Sequence, residues 1–185
     1  MLLCSVALAQ GDGPATSLDE LQVQRNGAGL LLYADMHLRL PGAVRSALSN
    51  GIPVYFIARA KVLRERWYWT DETLAVAVRY MRVSYHPLTR RWRLNVSSQP
   101  ISNTSLGTGL ASRSFDTLEQ TLDAIGHFAG WQVADADQLR GEGRKILQFV
   151  FRLDASRLPA ALRVGAERDA DWHLSLSQRI DLGHP

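Results

Sequence analysis

The pair of side chains best suited to chemistry is Asp35 and His37, which lie two residues apart in a segment whose alternate positions are apolar. On a β-strand such side chains share one face at a spacing of about 6.6 Å. A carboxylate and an imidazole could there begin a metal site or orient a general base, as a hydrolase would require. No third ligand follows at a known metal-binding spacing. We therefore predict a solvent-facing strand, with no metal, no cofactor and no catalytic residue.

Motifs for nucleophilic catalysis and phosphate binding are also missing. The sequence has neither Gly-x-Ser-x-Gly nor Ser-x-x-Lys. Gly107-Thr108-Gly109 lacks the lysine of a P-loop and the third glycine of a dinucleotide-binding loop. This segment is expected to be a connecting loop.

Basic and aromatic side chains interleave between Arg59 and Arg93. The segment holds nine basic and three acidic residues, an excess of six positive charges, whereas the whole chain carries +3. Planar guanidinium groups and rigid rings are favoured at binding surfaces. The residues predicted to form a binding surface are Arg64, Arg66, Trp67, Trp69, Arg82, Tyr85, Arg91 and Trp92.

The alternation of side chains along a strand qualifies this prediction. Arg59 and Lys61 share one face, while Arg64 and Arg66 have the opposite parity, so one common surface would require a β-bulge. The alternative is a solvated strand face whose arginine stems cover apolar surface. The predicted partner is an anionic peptide or protein, with a peripheral contact to lipid headgroups as the other candidate. Nucleic acid is not expected.

Composition indicates an ordinary globular domain. The chain of 185 residues is 46% hydrophobic and 21% charged, which suits one domain with its own core. The sequence pI near 9.3 reflects arginine, because Lys61 and Lys145 are the only lysines. A single cysteine, Cys4, cannot form an internal disulfide.

The N-terminus indicates export. Residues 1–9 are short and apolar, and Ala7-Leu8-Ala9 has the small-x-small form of a signal-peptidase site. We expect residues 1–9 to be the remnant of a signal peptide with a truncated start, although a hydrophobic first strand is the alternative. Residues 10–17 then form a linker and residues 18–182 a single β-rich domain. No later stretch is apolar over the ~18 residues that a membrane span needs.

Period-two patterning dominates the first half of the chain. It predicts a hairpin of Leu21–Arg25 and residues 29–40, joined at Asn26-Gly27. The buried face of the second strand should hold Leu30, Leu32, Ala34, Met36, Leu38 and Leu40. A short helix is predicted over residues 42–50. Further strands are predicted over residues 53–69, 74–85 and 92–96.

The second half is predicted to begin with a long loop over residues 97–112. Asp116 should then cap a helix with Glu119 in the capping-box position, and Gly130 should end that helix after Ala129. Two further strands are predicted, an apolar one over Ile146–Leu153 and an alternating one over Trp172–Ile180.

These elements predict a mainly β protein. Seven or eight strands with two short helices indicate an antiparallel β-sandwich, immunoglobulin-like in general architecture. An α+β antiparallel sheet with both helices on one face is the alternative. The absence of regular βα alternation argues against a parallel sheet.

Several short stretches form a recognisable pattern over roughly residues 20–180. The stretches are Leu38-Arg39-Leu40-Pro41, Ala47-Leu48-Ser49-Asn50-Gly51-Ile52-Pro53-Val54, Arg64-Glu65-Arg66-Trp67-Tyr68-Trp69, Phe151-Arg152-Leu153-Asp154, Leu158-Pro159 and Asp171-Trp172-His173-Leu174. They resemble an uncharacterised family of exported proteobacterial proteins, known as domain of unknown function 4390. The resemblance implies a signal peptide, an envelope location and a role as accessory to a membrane sensor kinase. It supplies no catalytic residues.

The leading hypothesis from the sequence is therefore a non-enzymatic envelope domain that binds a protein partner. The alternative is a periplasmic domain that binds a small molecule or lipid in a gap between its sheets.

Overall fold

The computed structural model of the chain describes residues 16–66, 70–101, 111–160, 162–163 and 172–183. These residues form nine strands, two α-helices and short 3-10 turns at Asp137–Leu139 and Ala155–Arg157. The strands are β1 (Ser17–Asn26), β2 (Gly29–His37), β3 (Val54–Arg64), β4 (Glu72–His86), β5 (Arg91–Ser97), β6 (Ala111–Phe115), β7 (His127–Asp135), β8 (Lys145–Leu153) and β9 (Ser175–Asp181). The helices are α1 (Gly42–Ser49) and α2 (Leu118–Gly126).

The strands form two antiparallel sheets that do not close into a barrel. One has three strands in the order β1-β2-β7, and the other has six in the order β6-β5-β4-β3-β8-β9. Their inner faces share one hydrophobic core. The predicted antiparallel sandwich is thus confirmed, with nine described strands where the sequence indicated seven or eight.

The predicted N-terminal hairpin is confirmed. Arg25 pairs with Leu30 and Asn26 with Gly29. The Asn26 side-chain oxygen accepts hydrogen bonds from the backbone N–H groups of Ala28 and Gly29, both at 2.9 Å, and closes the turn. The six residues predicted for the inner face between Leu30 and Leu40 are all buried, because alternate side chains of a strand point to the same side.

Aromatic side chains fill the space between the sheets. Phe56, Phe149 and Phe151 of the larger sheet are fully buried. Phe149 lies opposite the small Ala60 on β3 and contacts the edge of Phe128 on β7, with 5.8 Å between ring centroids. Large residues thus interdigitate with small ones, as a close-packed core requires.

The second helix is shorter than predicted. It ends at Gly126, and residues 127–135 form β7 instead of continuing as a helix to Ala129. Gly126 packs against the backbone of β2, where a Cβ atom would lie 2.2 Å from the Met36 carbonyl oxygen. This close contact brings the chain beside β2, and the following residues pair with that strand.

Most of the loop predicted over residues 97–112 lies outside the described residues, but the end of that stretch belongs to a strand. Strand β6 contains Ala111 and Ser112 from that stretch and pairs with β5. The Ser112 hydroxyl donates to the Asn95 side-chain oxygen at 3.0 Å. An exposed edge strand needs few apolar residues, so alternation gave no signal there.

The residue that caps α2 is Thr117 and not Asp116, as the sequence had suggested. The Thr117 hydroxyl accepts from the Gln120 N–H at 3.1 Å, while Asp116 forms an exposed ion pair with Arg91. We expect Thr117→Ala to lower the free energy of unfolding by about 1 kcal/mol, the usual contribution of an N-cap. Asp116→Ala should change it by less than about 0.5 kcal/mol. Equal effects of the two variants in urea denaturation would contradict this assignment.

Candidate functional site

The outer face of the six-stranded sheet carries an array of basic side chains. The core side of β3 holds Phe56 and its alternate neighbours, so residues of the other parity point outward. The outward basic residues with no described carboxylate partner are Arg59 and Lys61 on β3, Arg82 on β4, Arg93 on β5, Arg152 on β8 and Arg179 on β9. The pairing of these strands thus places cations that are far apart in the sequence on one face of the sheet.

Four of these cations form a compact group, which we call the basic patch: Arg59, Lys61, Arg152 and Arg179. Lys61 lies opposite Gln148 on β8, and Gln148 lies opposite Arg179 on β9. Two strand spacings therefore separate Lys61 from Arg179, about 10 Å. Arg59 lies two residues before Lys61 on the same face. The four side chains are therefore close enough to reach a single bound segment.

No acidic side chain of the described residues pairs with the patch. Within the described residues, none of the four cations forms an ion pair, and all but the half-buried Lys61 are exposed. The carboxylate on the outer face of β9, that of Asp181, contacts the Arg144 guanidinium at 2.6 Å. The positive charge of the patch is therefore available to a partner.

Uncharged side chains fill the patch between its cations. Val150 lies between Arg59 and Ser177 across the strands. Val76 lies opposite Lys61 and is 52% exposed, an unusual fraction for a valine. The patch thus combines aliphatic contact area with hydrogen-bond donors, which suits a protein partner better than a free ion.

The predicted surface residues on β4 and β5 are divided between the two faces. Arg82 and Arg91 have the outward parity, and Arg91 is paired with Asp116 at 2.9 Å. Tyr85 and Trp92 point to the inner face, where their rings lie 4.8 Å apart and Trp92 is buried. These two side chains lie on the same face of the sheet as the core residues. They therefore pack against the core and are not part of the basic surface.

The predicted surface residues at the end of β3 have a different environment. Arg64 and Arg66 both donate to the Glu72 carboxylate, at 3.0 and 2.7 Å. The hydrogen bond from Arg66 is the main cause that lowers the Glu72 pKa. Trp67 and Trp69 lie outside the described residues. The described members of the predicted surface therefore do not share one face.

None of the four members of the basic patch was among the predicted site residues, although Arg59 and Lys61 lie in the basic and aromatic segment. Arg152 is the one charged residue of Ile146–Leu153, a segment whose only other polar residue is Gln148, and this exception could have indicated an outward position. Arg179 occupies an outward position of the alternating segment before Ile180. Only the sheet order, with β3 beside β8 and β8 beside β9, shows that both lie near Arg59.

Two other cations lie inside the fold. The Arg79 guanidinium is 4.9 Å from the ring centroids of both Phe128 and Trp131, and burial lowers its pKa. The Lys145 ammonium is buried and donates to the carbonyl oxygens of Gly141 and Gly143. Its pKa is lowered, chiefly by burial. Both side chains hold neighbouring elements together, so neither belongs to the outer surface.

The Asp35 carboxylate, which the sequence offered as a possible partner of His37, has a different partner. The Asp35 Oδ1 atom lies 2.6 Å from Nδ1 of His127, which is its cross-strand neighbour on β7. Both residues are exposed. Among the described residues, no three His, Cys, Asp or Glu side chains are placed to hold a metal ion.

The comparisons place the chain in a family. No helix within the described ranges is long and apolar enough to cross a bilayer. No curated protein and no solved structure matches the chain. A family model with the description domain of unknown function (DUF4390) matches residues 14–181. That match covers both sheets, so the chain belongs to the family of domain of unknown function DUF4390.

Proposed function

We propose that the chain is an exported, non-enzymatic domain of the bacterial envelope that binds an acidic region of a protein partner. The observation that carries this proposal is the basic patch, four cations on one sheet face with no described carboxylate partner. Such a surface steers an acidic partner and selects against basic ones. The resemblance to exported proteins that accompany sensor kinases suggests a membrane sensor kinase as the partner.

A protein partner is favoured over a lipid surface by the distribution of apolar side chains. Val76 flanks the patch, while Leu88, the other large apolar residue that is exposed among the described ones, lies in the turn after β4. Ten residues of strand, about 33 Å, separate Val76 from the end of β4 at His86. One flanking valine offers little for insertion into a bilayer, whereas a mixed aliphatic and arginine surface is typical of protein interfaces.

Export is supported by the small-x-small segment Ala7-Leu8-Ala9. N-terminal sequencing of the protein recovered from its host tests this part of the proposal. A mature start near Gln10 is expected, and recovery of the chain with Met1 intact from the cytoplasm would contradict it.

Site-specific photo-crosslinking in the host tests the binding surface. A photoreactive phenylalanine analogue that replaces Val150, in the centre of the patch, should form a covalent adduct with the partner protein. The same residue at Leu31, on the outward parity of β2, is the matched control. Adducts from position 150 and none from position 31 are expected, whereas adducts from position 31 alone would contradict the proposal.

A second candidate function is the binding of a small anionic molecule. A cavity of about 390 Å³ lies where β9 begins, lined in part by Arg152, Asp154 and Trp172. This volume falls in the range of small-molecule sites. Native mass spectrometry of the purified protein should show a bound molecule that Trp172→Ala removes, and an unliganded mass from fresh host extracts would count against this function.

A further inference from the structure

The described sheets have four edge strands, and three carry a feature that hinders pairing with another chain. Strand β1 has a register shift at Asp19, and β7 has two register shifts along its pairing with β2. Strand β6 is only five residues long and carries Arg113 on its inner parity. Bulges, short length and inward charges are established protections of exposed edges.

Strand β9 has none of these protections. Its seven residues pair with β8 in one continuous register from Ser175 to Asp181. It contains no proline, and the inner position between Leu176 and Ile180 is the uncharged Gln178. No described strand pairs with its other side. The edge is therefore regular and suited to strand addition.

The direction of the backbone groups on β9 follows from two hydrogen bonds. The Leu182 N–H donates to the Lys145 carbonyl and the Leu153 N–H donates to the Leu174 carbonyl, both at 2.9 Å. Even-numbered residues of β9 thus bond to β8. Because antiparallel strands alternate their bonding direction, Ser177 and Arg179 turn their N–H and C=O groups to the outer side.

The two faces of this edge define what could bind there. On the outer face, Arg179 borders the edge and the other cations of the basic patch lie behind it. On the inner face, Leu176 and Ile180 are partly buried and pack against the core. An added strand would therefore place alternate residues beside cations and beside apolar side chains.

We infer that β9 is the docking edge for an extended acidic segment of the partner protein, in which carboxylate and apolar residues alternate. This inference rests on the proposed function and adds the mode of recognition to it. The main chain of the segment pairs with Ser177 and Arg179, its carboxylates contact the basic patch, and its apolar residues extend the core beside Ile180.

The test uses a seven-residue peptide of alternating valine and glutamate, with blocked ends, as the probe. Ser177→Pro removes an outward N–H and places a ring at the edge, yet spares the bonds to β8. Ser177→Ala keeps that N–H and is the matched control. We expect Ser177→Pro to weaken binding at least about tenfold and Ser177→Ala to leave it unchanged, since strand addition depends on the main chain.

Hydrogen exchange in the wild-type chain provides a second readout in case Ser177→Pro fails to fold. The amide protons of Ser177 and Arg179 should exchange more slowly when the peptide is bound. Unchanged exchange, or wild-type affinity in a folded Ser177→Pro variant, overturns strand addition while the charge-dependent function stands. If replacing Arg59, Lys61 and Arg152 by glutamine leaves the peptide affinity unchanged, the proposed function itself fails.

Discussion

Phe149→Ala is expected to lower the free energy of unfolding by about 3–5 kcal/mol, the usual cost of removing a buried aromatic side chain. Phe149 has no solvent exposure, lies opposite Ala60 and contacts the ring of Phe128 on the other sheet. The substitution therefore opens a cavity where the two sheets meet. Urea denaturation monitored by circular dichroism measures the effect.

The neighbouring residue on the same strand provides the control. Val150 points to the outer face and is only partly buried, so Val150→Ala should cost less than about 1 kcal/mol. A larger loss for Val150→Ala than for Phe149→Ala would contradict the assignment of the inner and outer faces of β8.

Replacing Arg59, Lys61 and Arg152 together by glutamine is expected to weaken binding of the valine-glutamate peptide by about 30- to 100-fold. Each exposed ion pair contributes up to about 1 kcal/mol, and 1.4 kcal/mol corresponds to a factor of ten. Because salt screens such pairs, the difference between the wild-type chain and this variant should shrink as ionic strength rises. Fluorescence titration at two salt concentrations measures both effects.

A second triple variant separates the patch from net charge. Arg25, Arg39 and Arg90 are exposed and have no described ion pair. Their replacement by glutamine lowers the formal charge from +3 to 0, as the patch variant does. Near wild-type affinity is expected for this control. Equal losses in the two variants would show that the total charge, and not the patch, determines binding.

The fold was predictable wherever one strand face is buried and the other is not. The alternation from Leu30 to Leu40 predicted β2 and its inner face, and the alternation around Leu174 predicted the side-chain directions of β9. These strands lie between the core and solvent, so apolar and polar residues alternate along their sequences.

The missed elements lack such a signal. Strand β6 is exposed along nearly its whole length, and β7 follows a helix whose apolar spacing continues to Ala129. That helix ends where Gly126 contacts the Met36 backbone, and a contact between distant residues is not visible in local spacing.

The candidate site was only partly predictable for the same reason. A run of basic and aromatic residues indicated a surface near Arg82, but Trp92 lies on the inner face of β5 and is buried. The patch itself joins residues from β3, β8 and β9, with 120 positions between Arg59 and Arg179 in the sequence. Sheet order, which the sequence does not state, brings Arg59, Arg152 and Arg179 together.

The most direct test of the central claim is photo-crosslinking from position 150 in the host, repeated in both triple variants. We expect one protein adduct in the wild-type background and in the control in which Arg25, Arg39 and Arg90 are replaced by glutamine. The same adduct should be lost when Arg59, Lys61 and Arg152 are glutamine. An adduct of equal yield in all three backgrounds would contradict binding through the basic patch.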